Sequence, residues 1–199
     1  MTAAMVESGQ AHPGRQWDYL LRSWRDLDVP EGWRAEIDEG QIVLVPPPHA
    51  LHNGIADAVQ RSLYKGISDE LGIYQTLGIH IAPLDKLYVP DLVVMERQLV
   101  DGADPDVNDP MDAADALLVV EITSKSNARD DRTKKLWAYA HAPVESYLLI
   151  DRFDEHGPTT TLFTGPLNGA YKHAERVPFG EAVRLEALDA TLPTERFPV

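Results

Sequence analysis

The chain has no cysteine, which excludes a disulfide framework and a thiolate metal site and leaves oxygen and histidine nitrogen as the metal donors. That absence fits a cytoplasmic protein. No apolar run approaches the roughly 20 residues that span a bilayer, and the opening from Met1 to Gly14 lacks a signal-peptide core, so no membrane association is expected. Basic residues are scarce: 18 Lys+Arg stand against 32 Asp+Glu, a net charge of -14. As a whole-molecule field this repels phosphate backbones and counts against tight nucleic-acid binding. Internal repeats and low-complexity segments are also absent. At 199 residues and 44% hydrophobic content, one domain over 15–199 is expected behind a disordered tail at 1–14.

What the chain does have is a succession of helical and strand patterns. Trp17, Leu20, Leu21 and Trp24 recur at helical spacing and predict a first amphipathic helix. Glu31 to Ile37 and Gln41 to Val45 predict a hairpin closed at Asp38-Glu39-Gly40, and Pro46-Pro47-Pro48 stops its second strand. Ile55, Ala58, Val59 and Leu63 predict a helix from Leu51. Ile73 to Ala82 and Val89 to Met95 predict strands, and Asp101 to Asp112 a surface loop. A strand from Leu117 to Thr123, a helix from Ala128 to His141 and a strand from Ser146 to Asp151 follow. Thr159 to Thr164 and Ala170 to Val177 predict a last hairpin, with Gly165, Pro166, Asn168 and Gly169 in its turn. This order describes an α/β (α+β) domain, a mixed sheet core flanked by helices with a hairpin added at each end.

Two of the apolar runs carry one carboxylate each. Val89-Pro90-Asp91-Leu92-Val93-Val94 and Leu117-Leu118-Val119-Val120-Glu121-Ile122-Thr123 have the composition of buried strands, where a carboxylate without a cationic partner is costly. Asp91 and Glu121 stand 121 − 91 = 30 positions apart and converge if their strands are neighbours. A shared divalent cation is the simplest partner: such oxygen donors suit Mg²⁺ or Mn²⁺, and the Ile122 carbonyl could add a ligand. A cation there would polarise a phosphodiester and acidify a water. A neighbouring ammonium would then steady the charge that builds on the phosphoryl oxygens. Lys135 is the candidate, because it shares a helical face with Asp131 and Tyr139.

Plainer readings stand beside these. Asp91 could be a turn or strand-end residue, Lys135 could pair with Asp131 on a solvated face, and Tyr139 could be ordinary core. Ser124 and Ser126 could only cap the next helix. His49 and His52 flank the second helix, where a surface role, a proton carrier and a metal ligand are all open. Gly72-Ile73-Tyr74 matches half of a nuclease signature, but no second half follows. Local charge differs from global charge: Lys125, Arg129, Arg132, Lys134 and Lys135 stand against Asp130 and Asp131, so the dense basic cluster borders the proposed site.

Several stretches agree in order and spacing with a known family. They are Glu36-Ile37-Asp38-Glu39-Gly40 with Pro46-Pro47-Pro48 and His52, then Pro90-Asp91-Leu92-Val93-Val94. Val120-Glu121-Ile122-Thr123-Ser124 follows, then Asp131-Arg132 with Lys135 and Tyr139, then Glu145-Ser146-Tyr147-Leu148-Leu149-Ile150-Asp151. Over these, from about Ala35 to Asp151, the chain resembles the Uma-two family of bacterial endonucleases in the PD-(D/E)XK nuclease superfamily. The resemblance implies a restriction-endonuclease-like fold, Mg²⁺ or Mn²⁺ held by Asp91 and Glu121, and hydrolysis of DNA phosphodiesters. It also carries over Glu36 as a further metal-site carboxylate and His52 as a site residue. Where the superfamily has a lysine two residues after the glutamate, this chain has Thr123; the family resemblance moves that lysine to the following helix, at Lys135. The family's tryptophan after the tyrosine is Leu148 here.

Two functions follow, of different classes. One is a Mg²⁺-dependent endonuclease in which Asp91 and Glu121 hold the metal, Lys135 stabilises charge or orients water, and Tyr139 and Ser124 give support. The other is a binding module that keeps the fold without cutting. The Asp, Glu and Lys set favours the first and the acidic balance the second. Weak, metal-dependent DNA binding and a homodimer are expected.

Overall fold

The computed structural model describes residues 13–199, so the expected tail lies outside the described residues except for Pro13 and Gly14, which open the first helix. Helix α1 (Pro13–Arg25) precedes a hairpin of β1 (Arg34–Asp38) and β2 (Gln41–Val45), then helix α2 (Ala50–Leu63). Strands β3 (Leu71–Tyr74), β4 (Ile79–Ile81), β5 (Lys86–Tyr88) and β6 (Leu92–Glu96) follow, then short helix α3 (Arg97–Asp101) and β7 (Met111–Asp112). Next come β8 (Leu118–Ile122), α4 (Ala128–Asp130), a π turn (Asp131–Lys135), α5 (Leu136–His141) and β9 (Ser146–Asp151). The chain ends in β10 (Thr159–Leu167), β11 (Ala170–Pro178), β12 (Val183–Leu185) and β13 (Ala190–Leu192).

The strands form a five-stranded sheet in the order β2-β1-β5-β4-β7, a six-stranded sheet in the order β11-β10-β9-β8-β6-β3, and the pair β12-β13. The larger sheet is mixed: β8 and β9 run parallel, joined by the α4–α5 helical crossover, while its other neighbours run antiparallel. Alternation along the central strands divides the core. Leu92, Val94, Leu118 and Val120 face Ile55, Val59 and Leu63 of α2, and Val93, Met95 and Val119 face Tyr139 and Tyr147. Two hairpins close through two-residue turns whose positive φ angles match strand twist, Glu39-Gly40 (49° and 74°) and Asn168-Gly169 (51° and 78°). Among the described residues no helix is long and apolar enough to cross a membrane.

Several elements differ from the sequence-based expectation. The apolar stretch at residues 73–82 is not one strand: Thr76 takes a left-handed φ of 55°, and β3 and β4 join different sheets. The run at 89–95 likewise breaks, because β5 and β6 lie in different sheets and Pro90 stands between them. Asp91 therefore occupies a bend between the sheets rather than a strand interior. Gly165 and Pro166 lie inside β10, outside the turn. The pair β12-β13 was not anticipated; Val183, Leu185 and Leu192 pack onto the α2 side of the core. The helix over 128–141 is not uniformly α, since the π turn at Asp131–Lys135 widens it.

Candidate active site

The pairing of β6 with β8 runs Leu92↔Val120 and Val93↔Val119, so one step further along the ladder Asp91 stands opposite Glu121. The backbone N–H of Ile122 donates to Asp91 Oδ2 at 2.8 Å. His52 Nε2 lies 2.9 Å from the same oxygen, and Arg34 donates to Oδ1 at 3.1 Å. His52 faces inward because it lies on the same helical stripe as Ile55, Ala56 and Val59. Arg34 stands two residues before Glu36 on β1, so strand alternation aims both at the site.

Glu121 is 1% exposed. Its Oε1 accepts from Tyr139 Oη at 2.6 Å and from Lys135 Nζ at 2.9 Å. The same ammonium reaches Glu36 Oε1 at 3.3 Å, lies 4.0 Å from Asp131 Oδ1 and sits over the Tyr88 ring at 5.2 Å from its centre. Glu36 is pinned in turn by the Val89 N–H at 3.0 Å. Lys134 points elsewhere, toward Glu39 at 3.3 Å. The structure thus brings together Glu36, His52, Asp91, Glu121, Ile122, Lys135 and Tyr139. Ser124 stands apart from these groups: its hydroxyl bonds Asn127 Oδ1 at 2.6 Å at the start of α4.

Burial favours the neutral carboxyl at Asp91, but the His52 hydrogen bond, the Arg34 charge and the Ile122 N–H outweigh it and hold the pKa below its usual value. At Glu121 burial prevails: despite Lys135 and Tyr139, the carboxyl is raised, with Asp91 and Glu36 adding repulsion. Asp131, 0% exposed, is raised well above the usual range by burial and by the Glu121 charge, and neither of its oxygens has a hydrogen-bond partner among the described residues. Burial works against the Lys135 charge, but Glu121, Glu36 and Asp131 overcome it, so the ammonium keeps its proton. Burial and Glu121 likewise hold Tyr139 as a phenol that donates.

A cavity of about 1010 Å³ opens over Glu36, Lys135, Arg34 and His52. Ser124, Lys125, Asn127 and Arg152 also line it. Among the described residues Lys125, Arg129 and Arg152 pair with no carboxylate, whereas Arg132 is held by Asp151 at 2.6 Å. Thr123, two residues after Glu121, is buried and donates to Asp151 Oδ1 at 3.1 Å, so it belongs to that second network.

The donor chemistry fits a hard divalent cation. Among the described residues neither Glu36 Oε2 nor Glu121 Oε2 accepts a hydrogen bond, which leaves two carboxylate oxygens uncommitted. Among the described residues no group of three or more acidic or histidine side chains is placed so that it could hold a metal ion by itself. Mg²⁺ usually needs only one or two carboxylates, completed by water and substrate phosphate. Arg34 and Tyr88 were not anticipated as members of the cluster, and Asp131 was anticipated only as a neighbour of Lys135 on its helical face.

The mixed sheet flanked by helices, with Asp91 at a sheet-to-sheet bend beside Glu121 on β8, places the chain among nuclease-like folds. A solved structure from Anabaena variabilis ATCC 29413, described as a "putative nuclease belonging to DUF820", matches with a TM-score of 0.70 at 17% identity, over 89% of this chain and 96% of that one. At that identity the likeness shows the fold. The family model Uma2, described as "Putative restriction endonuclease", matches residues 19–195. The chain belongs to the Uma2 family. No curated protein matches it.

Proposed function

We propose that this chain is a metal-dependent endonuclease that hydrolyses DNA phosphodiester bonds at Asp91, Glu121 and Lys135, within one domain over 15–199. The observation that carries the reading is the shared Glu121 oxygen: Lys135 and Tyr139 both donate to it while the adjacent Ile122 amide ties Asp91 alongside. Asp91 and Glu121, with the Ile122 carbonyl and Glu36, are the groups that would hold Mg²⁺ or Mn²⁺. When bound, such a cation supplies Lewis acidity toward a phosphoryl oxygen and lowers the pKa of water.

The chain's own groups do the rest. Lys135 stays protonated and offers a fixed positive charge to the phosphoryl oxygens. Tyr139 keeps the Glu121 carboxylate oriented. His52 is fixed through one ring nitrogen on Asp91, and its Nδ1 is buried without a hydrogen-bond partner among the described residues. Lys125 and Arg152 give the acidic protein a local anchorage for the strand.

A second reading, a non-cutting module, draws on the three donors that already engage Asp91. Duplex DNA titrated in Ca²⁺ and in chelator at two salt concentrations separates them. The nuclease reading expects weak binding that falls steeply with salt and is nearly lost in chelator. Tight, salt-insensitive binding without metal contradicts it. A homodimer and a cytoplasmic location complete the proposal.

A further inference from the structure

Beside the carboxylate site lies a second cavity of about 420 Å³, within the range of roughly 300–1,000 Å³ typical of small-molecule sites. It shares Arg34, Pro48 and His52 with the larger cavity, and Asp91 lines it. The two spaces therefore meet across the Arg34–Asp91–His52 contacts.

Its lining combines two chemistries. Trp24 and Trp33 provide indoles: Trp24 has already donated its ring N–H to the Ala35 carbonyl at 2.7 Å, and Trp33 is 40% exposed. Asn53, Gln75 and Asn108 provide amides, and among the described residues none of the three side chains makes a hydrogen bond. Asn108 is held near α1 because its neighbour Asp109 is ion-paired with Arg25. An amide presents a donor beside an acceptor, the pattern that reads a base edge, and an indole face stacks on any base. Uncommitted amides beside indoles, one wall away from a phosphodiester site, are the combination that takes up an extruded base.

We propose that this second cavity receives a nucleobase of the substrate strand, unstacked from its neighbours and laid on Trp33, with the three amides at its edge. The inference rests on the nuclease reading and narrows it. The preferred substrate is DNA whose bases leave the stack readily: single-stranded, mismatched or locally opened.

The test compares a short labelled single strand with the same strand carrying abasic residues, titrated in Ca²⁺ into the wild type, Trp33→Ala and Asn108→Ala. Both replaced residues are exposed, so thermal melts should match the wild type. The wild type is expected to prefer the intact strand about tenfold, the scale of base–aromatic stacking. Both variants should lose that preference while keeping their affinity for the abasic strand. Equal wild-type binding of the two strands, or a preference that survives in both variants, overturns the base cavity and leaves the nuclease reading standing. Failure of the wild type to bind either strand, while it still binds duplex DNA in Ca²⁺, also overturns the base cavity alone; failure to bind duplex as well overturns both.

Discussion

Lys135 and Glu121 meet at 2.9 Å although one stands on a π turn and the other on a buried strand. Both charges are withdrawn from water, and removing one partner of such a pair leaves the other uncompensated. Lys135→Met is therefore expected to lower the cleavage rate by about 10²–10³-fold, the scale of losing one transition-state charge donor, and to lower the melting temperature. Lys134→Met, whose ammonium pairs with Glu39, should alter neither appreciably. Plasmid nicking rates and thermal melts of the two variants check this, and the reverse order of effects would reassign the lysine.

Tyr139→Phe keeps the ring in the core and removes only the 2.6 Å hydrogen bond to Glu121. The carboxylate loses a buried donor, which costs about 1–3 kcal/mol. Urea unfolding of the variant should show a lowered midpoint with an unchanged slope.

Divalent metal is expected to stabilise the folded chain by mass action. Mn²⁺ should raise the melting temperature of the wild type, chelator should reverse the rise, and Glu121→Gln should lack it. An equal rise in Glu121→Gln would move the ion away from Glu121.

On β4, His80 stacks on Trp17 with ring centres 4.3 Å apart, and its Nε2 is buried without a partner among the described residues. Burial depresses its pKa below 6.5, against a weaker opposing pull from Asp112 and Asp85. The folded pKa lies below the unfolded one, so the unfolded chain takes up the proton first as pH falls. This contribution is complete above pH 6.5 and is lost as pH drops from 6.5 toward the folded value. His80→Gln should flatten the fall in stability between about pH 7.5 and about pH 5.5. An unchanged slope, measured by urea unfolding, would show that His80 does not contribute.

Much of the candidate cluster was legible in the sequence because its members break a local rule. Asp91 and Glu121 are carboxylates in apolar runs, and His52 lies on the apolar stripe of α2. Lys135 and Tyr139 kept their shared face through the π turn, which has no propensity signature of its own. Arg34 was not legible as a site residue, because its role depends on β1 approaching Asp91 from another sheet, a relationship between residues 57 positions apart. The division of residues 71–82 between two sheets was equally hidden, since Thr76 is an unusual residue for a left-handed φ. The β12-β13 pair has strands of three residues, too short to establish a period.

Metal-dependent cleavage that passes through Asp91 is tested most directly by incubating purified protein with supercoiled plasmid in Mg²⁺ or Mn²⁺, and in chelator, beside Asp91→Ala. The expected result is conversion to the nicked circle by the wild type, absent in chelator and absent in the variant. Nicking that persists in chelator or in Asp91→Ala, or no nicking by the wild type in either metal, contradicts it.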